Sequence, residues 1–504
     1  MQFPQYLQTK VHQTRLHFFS LVMPHNNGKR SQVLHQTGDK KTQLIPPWTQ
    51  IMEEVKLITK IAGPTALTGL ILYSRSVISM LFIGFLGELE LAAASLSVGF
   101  ANITGYSIIT GLSMGMEPIC GQAFGARKWS LMAVTLQRTV LILLFSCFPL
   151  VILWLSMEKL LLWCGQDPNV VSIASIYLAY SVPDLFAQAF LQPLRIYLRA
   201  QGVTLPLTAF ASIALMLHIP INFLLVVRMD LGIKGAALAS VWTSYNLVFM
   251  LIMYIFSHPA AHNSTFQEIT LECLTGWRTI LGLAIPSCFS VCLEWWWYEF
   301  MIILCGLLPN PKPKVAAMGV LIQTTSLLYI LPSSISFAVS TRVSNELGAN
   351  MPRKARRVAV VAFSMSILLG VFSMMFAFAV SSTWGKMFTK ERDILNLTSS
   401  VLPIIGLCEL FNCPQTTGCG VLRGCARPSL GANVNLGAFY LLGMPLAVLL
   451  AFYLGCGFMG LWLGLLAAEV CCLLSMAFVI LQTDWSVEAK RACKLIGADV
   501  DITT

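Results

Sequence analysis

The sequence has few charged residues. Asp, Glu, Lys and Arg together make up 11% of its 504 residues, whereas a soluble globular protein carries about a quarter. Hydrophobic residues reach 56%, and the mean hydropathy is +0.72. This composition excludes an ordinary soluble protein and indicates a chain that is embedded in a lipid bilayer.

Motifs for nucleotide or metal chemistry are also missing. No Gly-x-x-x-x-Gly-Lys-Ser/Thr motif occurs, which excludes a built-in ATPase of that type. The Gly-x-Gly-x-x-Gly that begins at Gly455 joins two apolar segments with no strand beside it, so it indicates a turn. The 15 cysteines have no zinc-type spacing. We therefore expect no enzyme activity, no cofactor and no metal.

Twelve apolar runs are long enough to cross a bilayer as helices, which requires about 20 residues each. They predict an all-α membrane protein with twelve transmembrane helices, near 57–85, 91–116, 134–157, 171–194, 205–227, 235–257, 279–307, 315–340, 358–381, 395–421, 429–454 and 459–482. The polar residues 1–55 lack the apolar core of a secretory leader and predict a disordered tail.

Lys and Arg are distributed unevenly between the two sides of the predicted membrane. If both tails and the even-numbered connections share one side, that side carries most of the 33 basic residues, including Arg342, Arg353 and Arg423. The positive-inside rule then places both termini in the cytosol. The net charge of +10 follows from this topology, so we expect the lipid bilayer and no nucleic acid as a partner.

The second half of the sequence repeats the first at an offset of 222 to 225 residues. Residues 121–126 align with 344–349, Asp184 with Glu409, and Arg199 with Arg423. Six spans return the chain to its starting side, so the repeats are parallel. We predict an N-lobe at 56–257, a cytosolic linker at 258–278, a C-lobe at 279–483 and a cytosolic tail at 484–504. Transporters of this design bind cargo between pseudo-symmetric lobes that rock against each other.

Several acids lie inside the apolar spans. An ionised side chain at the centre of a span costs about 2.5–3.5 kcal/mol on insertion scales, so such residues are candidates for function. Glu294 and Glu299 are about 140° apart around one helix and face different directions. We predict that Glu294, Glu299 and Glu409 couple transport to protons. Alternatively, these glutamates only accept hydrogen bonds from neighbouring helices.

Aromatic and amide side chains are predicted to bind the cargo. Trp297 and Tyr298 lie three and four residues after Glu294, on the same side of the helix. A carboxylate beside aromatic rings can hold a cation or a planar ligand. The predicted substrate-binding residues are therefore Trp297, Tyr298, Asn412 and Gln323.

The first half lacks counterparts of Glu294 and Glu299, and Arg75 lies in that region instead. Asp184 is the repeat partner of Glu409. We predict a structural ion pair between Arg75 and Asp184 in the N-lobe.

Four motifs resemble the plant branch of the multidrug and toxic compound extrusion (MATE) transporters. They are Met-Glu-Pro-Ile-Cys-Gly-Gln at 116–122, Cys-Leu-Glu-Trp-Trp at 292–296, Ser-Thr-Arg-Val-Ser-Asn-Glu-Leu-Gly at 340–348 and Cys-Pro-Gln-Thr-Thr-Gly at 413–418. The resemblance implies two six-helix lobes in a V, and antiport of organic solutes against protons or sodium. It also implies that Glu294 and Glu409 are the coupling acids. Residues 73–75, Tyr-Ser-Arg, lack the first-helix Asp of some members.

These observations predict a monomeric secondary antiporter that exports a small organic compound, such as a hormone, secondary metabolite or xenobiotic, in exchange for protons. The plasma membrane, vacuole, Golgi and late endosome all fit. Two alternatives remain: a lipid or glycolipid flippase, and an endomembrane scaffold that recruits cytosolic partners.

Overall fold

The computed structural model describes residues 48–257 and 271–497, and every regular element in these ranges is a helix. Twelve helices are long and apolar enough to cross a membrane, as predicted. They are α1 (Trp48–Gly84), α2 (Glu88–Gly125), α3 (Trp129–Leu155), α4 (Pro168–Ala200), α5 (Leu205–Arg228), α6 (Gly232–Ser257), α7 (Trp277–Gly306), α8 (Pro311–Gly348), α9 (Pro352–Val380), α10 (Arg392–Gly424), α11 (Pro428–Tyr453) and α12 (Gly457–Leu481).

The first helix begins earlier than the sequence predicted. α1 starts at Trp48, so residues 48–55 are helical and do not belong to a disordered tail. Burial explains the difference, because Glu54 is 6% exposed and bonds to α8. The rest of the predicted tail, and residues 258–270 of the predicted linker, lie outside the described residues. After α12, an amphipathic helix α13 occupies Trp485–Leu495.

Proline and short polar side chains set several helix starts. α4, α8, α9 and α11 each have Pro in the first turn, where its missing N–H leaves no bond unmade. Asp167 caps α4 by accepting hydrogen bonds from the backbone N–H groups of Asn169 and Val170. α4 continues through Pro183 and Pro193. α5 and α11 both end in π-helical turns, Phe223–Arg228 and Leu449–Tyr453.

Each half of the chain buries its own core. In α1–α6, the N-lobe, one cluster includes Leu143, Trp154 and Leu185. In α7–α12, the C-lobe, Trp297 and Trp462 pack in the largest cluster, which draws on α7, α8, α10, α11 and α12. A third cluster joins the lobes, because Ile58 and Ile61 of α1 pack with residues of α8 that include Val339.

The lobes meet where α1 and α7 begin and where α2, α4, α8 and α10 end. We call this the basic end, because Arg127, Lys128, Arg353, Arg356 and Arg427 lie there. The ends of α2 and α8 approach so closely that a Cβ at Gly348 would overlap the carbonyl group of Gln122. A Cβ at Gly125 would likewise overlap the carbonyl group of Asn345. Only glycine permits this backbone contact.

Candidate functional site

A cluster of acids, most of them buried, occupies the C-lobe. Glu409 on α10 is 1% exposed, and its Oε2 accepts a hydrogen bond from Asn412 Nδ2 at 3.1 Å. Glu294 on α7 lies near the Tyr329 hydroxyl on α8 and interacts with it electrostatically. The two carboxyl groups lie within electrostatic range of each other. The structure therefore brings together two of the three acids that the sequence proposed for proton coupling.

A third acid, Glu469 on α12, joins this cluster. It is 3% exposed, lies within electrostatic range of both Glu294 and Glu409, and its Oε2 has no hydrogen-bond partner among the described residues. Sequence reasoning gave it no role. The internal repeat could have identified it, because Glu469 aligns with Ser244 at an offset of 225 residues. A serine-to-glutamate difference inside matching spans marks a position at which the lobes differ.

Glu299 does not belong to the cluster. It lies about 140° from Glu294 around α7, whereas Glu294 is within electrostatic range of Tyr298 and Glu469. Tyr298, in contrast, lies within electrostatic range of Glu294, Glu409 and Glu469. Of the two neighbouring residues on α7, only Tyr298 contributes to the acid cluster.

The predicted aromatic contacts of the cargo need revision. Trp297 is 0% exposed and packs in the C-lobe core, with ring centroids 5.6 Å from Phe439 and 6.2 Å from Tyr440. It is therefore inaccessible to cargo in this conformation. Trp296 instead reaches the other lobe, because its Nε1 donates to the carbonyl oxygen of Ile103 at 3.1 Å.

Gln323 lies at the contact between lobes. It is exposed, and its Oε1 accepts a hydrogen bond from the Tyr73 hydroxyl on α1 at 2.8 Å. Asn412, the fourth predicted binding residue, is 4% exposed and bonds to Glu409. Gln323 is thus accessible from the space between the lobes, while Asn412 supports a coupling acid.

The predicted ion pair between Arg75 and Asp184 is wrong as a direct contact. Arg75 Nη1 donates to Ser244 Oγ on α6 at 2.9 Å. Asp184 Oδ2 accepts from the Tyr106 hydroxyl at 2.7 Å, and its Oδ1 has no partner among the described residues. Each charged side chain bonds to a neutral hydroxyl group, and no direct contact joins the two charges among the described residues.

A buried ionic contact joins the lobes at the basic end. Glu117 on α2 accepts from Arg199 on α4 at 3.0 Å and from Arg423 on α10 at 3.2 Å. We call these three residues the Glu117 triad. Both guanidinium groups also lie near the ring of Phe337 on α8, at 4.1 Å for Arg199 and 5.5 Å for Arg423. The two arginines are repeat partners, so one acid serves both repeats.

Two reciprocal hydrogen bonds flank the Glu117 triad. Gln122 Nε2 on α2 donates to the carbonyl oxygen of Gly424 at the end of α10, at 3.1 Å. Asn345 Nδ2 on α8 donates to the carbonyl oxygen of Ala200 at the end of α4, at 3.3 Å. Gln122 aligns with Asn345 in the repeat, and Ala200 with Gly424. Each lobe therefore caps a helix end of the other in the same way.

A further pair and a crevice complete this region. Arg342 on α8 bonds to Glu54 on α1 at 2.8 Å. A narrow crevice opens between α2, α7, α10 and α11, beside Met114, Ser287 and Arg423. None of the predicted substrate-binding residues lines it, so this crevice belongs to the closed contact at the basic end.

The match with a known family also follows the repeat. The family model MatE matches the chain twice, over residues 64–224 and 286–449. The chain belongs to the MATE family. The two matched segments start 222 residues apart and end 225 residues apart, so the family's unit coincides with the internal repeat.

Two plant proteins are similar to this MATE chain over nearly its whole length. Protein DETOXIFICATION 48 of Arabidopsis thaliana is 57% identical over 450 residues, which are 89% of this chain and 84% of that protein. Protein DETOXIFICATION 49 of the same plant is 57% identical over 451 residues, covering 89% and 90%. The family resemblance expected from the four motifs is confirmed.

Solved structures confirm the fold. The crystal structure of the eukaryotic MATE transporter AtDTX14 matches with a TM-score of 0.85 and 32% identity, over 88% of this chain and 99% of that chain. VcmN from Vibrio cholerae is 18% identical and matches with a TM-score of 0.78, over 87% and 100%. The protein is therefore an integral, multi-pass membrane protein of a family that transports small organic solutes.

Proposed function

We propose that this MATE protein is a secondary antiporter that exports small organic compounds from the cytosol in exchange for protons. The acid cluster of Glu294, Glu409 and Glu469 is the observation that carries the proposal. Three neighbouring carboxyl groups, two of which (Glu409 and Glu469) are buried, cannot all be ionised at low cost. The cluster therefore takes up and releases protons when its surroundings change.

The lobe contacts support alternating access. The positive-inside rule orients the basic end toward the cytosol, so the Glu117 triad and its flanking bonds close the cytosolic side in this conformation. Export then requires the triad to open and to admit cargo between the lobes. Proton binding at Glu409 and Glu294 removes negative charge next to Tyr298 and Tyr329 and changes how α7, α8 and α10 pack.

The membrane potential supplies part of the driving force. Moving one elementary charge through 100 mV is worth about 2.3 kcal/mol, or roughly a fifty-fold concentration ratio. A proton that enters the cytosol for each uncharged molecule exported makes this energy available to the cargo. Which organic compound is carried depends on the surface between the lobes, where Gln323, Tyr73 and Trp296 lie.

Transport into inside-out vesicles tests the proposal. A lumen more acidic than the outside should drive uptake of a permanently charged fluorescent solute such as N-methylquinolinium. E409Q and E294Q should abolish the effect of the pH gradient, while the matched control E299Q, which removes an acid outside the cluster, should retain it. Uptake that follows a sodium gradient alone, or that persists in E409Q, contradicts proton coupling at this site.

A further inference from the structure

The N-lobe helix α4 carries a polar stripe with an unusual end. Asp184, Gln188, Gln192, Arg195 and Arg199 lie on one face, because their spacings bring them within about 80° of one another around the helix. Gln192 donates to Gln188 at 3.1 Å, and Gln188 donates to Asp184 at 3.5 Å. The stripe therefore begins as a hydrogen-bonded ladder and ends in two arginines.

Arg195 has no anionic partner among the residues that the structure describes. No carboxylate oxygen lies within 4.0 Å of its guanidinium in the described part of the chain. Its Nε is buried and has no hydrogen-bond partner there. An interior arginine in a membrane protein normally pairs with an acid, with backbone carbonyl groups or with a ligand. Arg195 is thus an interior cation whose expected partner is missing.

The nearest acids cannot serve Arg195. Asp184 is eleven residues away on the same helix, about 16 Å along its axis. Glu117 already accepts hydrogen bonds from Arg199 and Arg423, one on each oxygen. Arg75, which also lies in the interior of the N-lobe, is within electrostatic range of Arg195, and so is Arg199. The positive charge of Arg195 is therefore uncompensated.

Arg195 faces the space between the lobes. Arg199 lies on the same face, one turn nearer the basic end. It bonds to Glu117, and its guanidinium contacts the C-lobe ring of Phe337. Arg195 lies one turn deeper and is partly exposed. In the C-lobe, the repeat partner of Arg195 is Cys419 on α10, at an offset of 224 residues. Only the N-lobe thus carries a second arginine at this depth.

We propose that Arg195 binds an anionic group of the cargo, such as a carboxylate or sulfonate, just inside the Glu117 triad. This inference rests on the proposed export function and names its substrate class as organic anions. Arg75 adds positive potential on the same side, while the C-lobe acids stay free to exchange protons. When the basic end opens, an anion from the cytosol passes the residues of the Glu117 triad and then meets Arg195, one turn deeper on α4.

The proposal has an electrical consequence. An anion that leaves the cytosol and a proton that enters it both move positive charge inward, so a one-to-one exchange transfers two charges. Exchange of a monovalent cation for one proton transfers none. In inside-out vesicles, a lumen-positive potential should therefore accelerate uptake of an anion and leave uptake of a cation unchanged.

Two matched probes test the binding site directly. 2-Naphthalenesulfonate and N-methylquinolinium are both flat and bicyclic, and their opposite charges do not change with pH. Equilibrium binding to the purified full-length protein in nanodiscs should show that R195Q weakens binding of the sulfonate at least tenfold and changes quinolinium binding less than twofold. R195K should keep part of the affinity. R356Q, which removes an exposed arginine at the basic end, is the control and should change neither.

The outcomes separate this inference from the export function. Wild-type protein that binds no sulfonate, or equal losses for both probes in R195Q, would overturn the anion site. Quinolinium uptake that depends on the pH gradient and on Glu409 would still support export in that case. If neither probe is taken up under any gradient although R195Q selectively loses sulfonate binding, the export function fails and the anion site stands. Unfolding temperatures of all variants show whether a loss reflects misfolding.

Discussion

The helices α4 and α10 occupy matching places in the two lobes but have different surroundings. Each carries one buried acid, Asp184 or Glu409, and an arginine at the basic end. Asp184 accepts a hydrogen bond from a tyrosine, whereas Glu409 lies within electrostatic range of Glu294 and Glu469. The same frame therefore holds an isolated acid in one lobe and a group of interacting acids in the other.

The difference extends to the neighbouring helices. In the N-lobe, Ser244 on α6 accepts a hydrogen bond from Arg75, and in the C-lobe its repeat partner Glu469 adds a third carboxyl group. The two repeats have similar scaffolds. A few substitutions give the interior of the N-lobe an excess of positive charge and the interior of the C-lobe an excess of negative charge. Neither the fold nor the apolar pattern had to change for this division.

The largest expected effect comes from neutralising the two matched acids separately. E409Q should lower transport driven by a pH gradient by about a hundredfold, in line with the loss of a positioned proton-transfer group. D184N should change it less than threefold, because Asp184 has no acid neighbour with which to share a proton. The initial rate of uptake into vesicles measures both. Similar losses in the two variants would show that the lobes do not differ in coupling.

The second prediction moves an acid between the repeats. E117S leaves Arg199 and Arg423 facing each other without a counter-charge, which should destabilise the protein by about 3 kcal/mol. Ser340, the repeat partner of Glu117, is buried, and its Oγ has no partner among the described residues. The double variant E117S/S340E should recover part of the loss in unfolding temperature. Failure of the double variant to exceed E117S would mean that the two positions are not interchangeable.

A smaller effect should follow from one added methyl group at the lobe contact. G348A forces Cβ against the carbonyl group of Gln122 and should cost about 1–3 kcal/mol, as overpacking does elsewhere. Gly319 lies in the same helix, α8, with nothing within 4 Å of a Cβ. G319A should be neutral or stabilising, because alanine favours a helix over glycine. Thermal unfolding of the two variants provides the comparison, and equal effects would contradict a tight contact at the basic end.

The smallest effect concerns α13, outside the spans. Burial raises the pKa of Glu488, although Arg427, bonded at 3.0 Å, opposes this. The folded state therefore holds the proton at pH values at which the unfolded chain has lost it, so this group's contribution to stability is lost as pH rises above about 4.3. Relative to E488Q, the wild type should become less stable between pH 4 and pH 7. If the unfolding temperature of the wild type instead rises relative to that of E488Q between pH 4 and pH 7, the predicted direction is wrong.

The sequence predicted the architecture because its physical signals are strong. Twelve apolar runs, the repeat at 222 to 225 residues and the family motifs were each sufficient to indicate a two-lobed helical transporter. It also selected Glu294 and Glu409, because an acid in an apolar span is costly. The repeat alignment also pairs Glu469 with the uncharged Ser244, but this difference alone does not show that the carboxyl group lies beside Glu294 and Glu409.

Side-chain direction limited the rest of the prediction. Trp297 and Tyr298 are neighbours on α7, yet one fills the lobe core and the other lies beside the acids, and periodicity alone does not fix how α7 is rotated against α11. Arg75 and Asp184 are opposite charges in one lobe, but Ser244 and Tyr106 lie closer to them. Whether a charged side chain bonds to an opposite charge or to a neutral group depends on distances of a few ångströms. The spacing of residues along the sequence does not give these distances.

The single acid of the Glu117 triad bears on the ancestry of the protein. A dimer of two identical halves would have to place the same side chain at positions 117 and 340, so it would have two glutamates there or none. An odd number of acids between two symmetry-related arginines requires two halves that differ in sequence. The closing contact seen today therefore arose after the two halves had diverged, and each half expressed alone would lack a complete version of it.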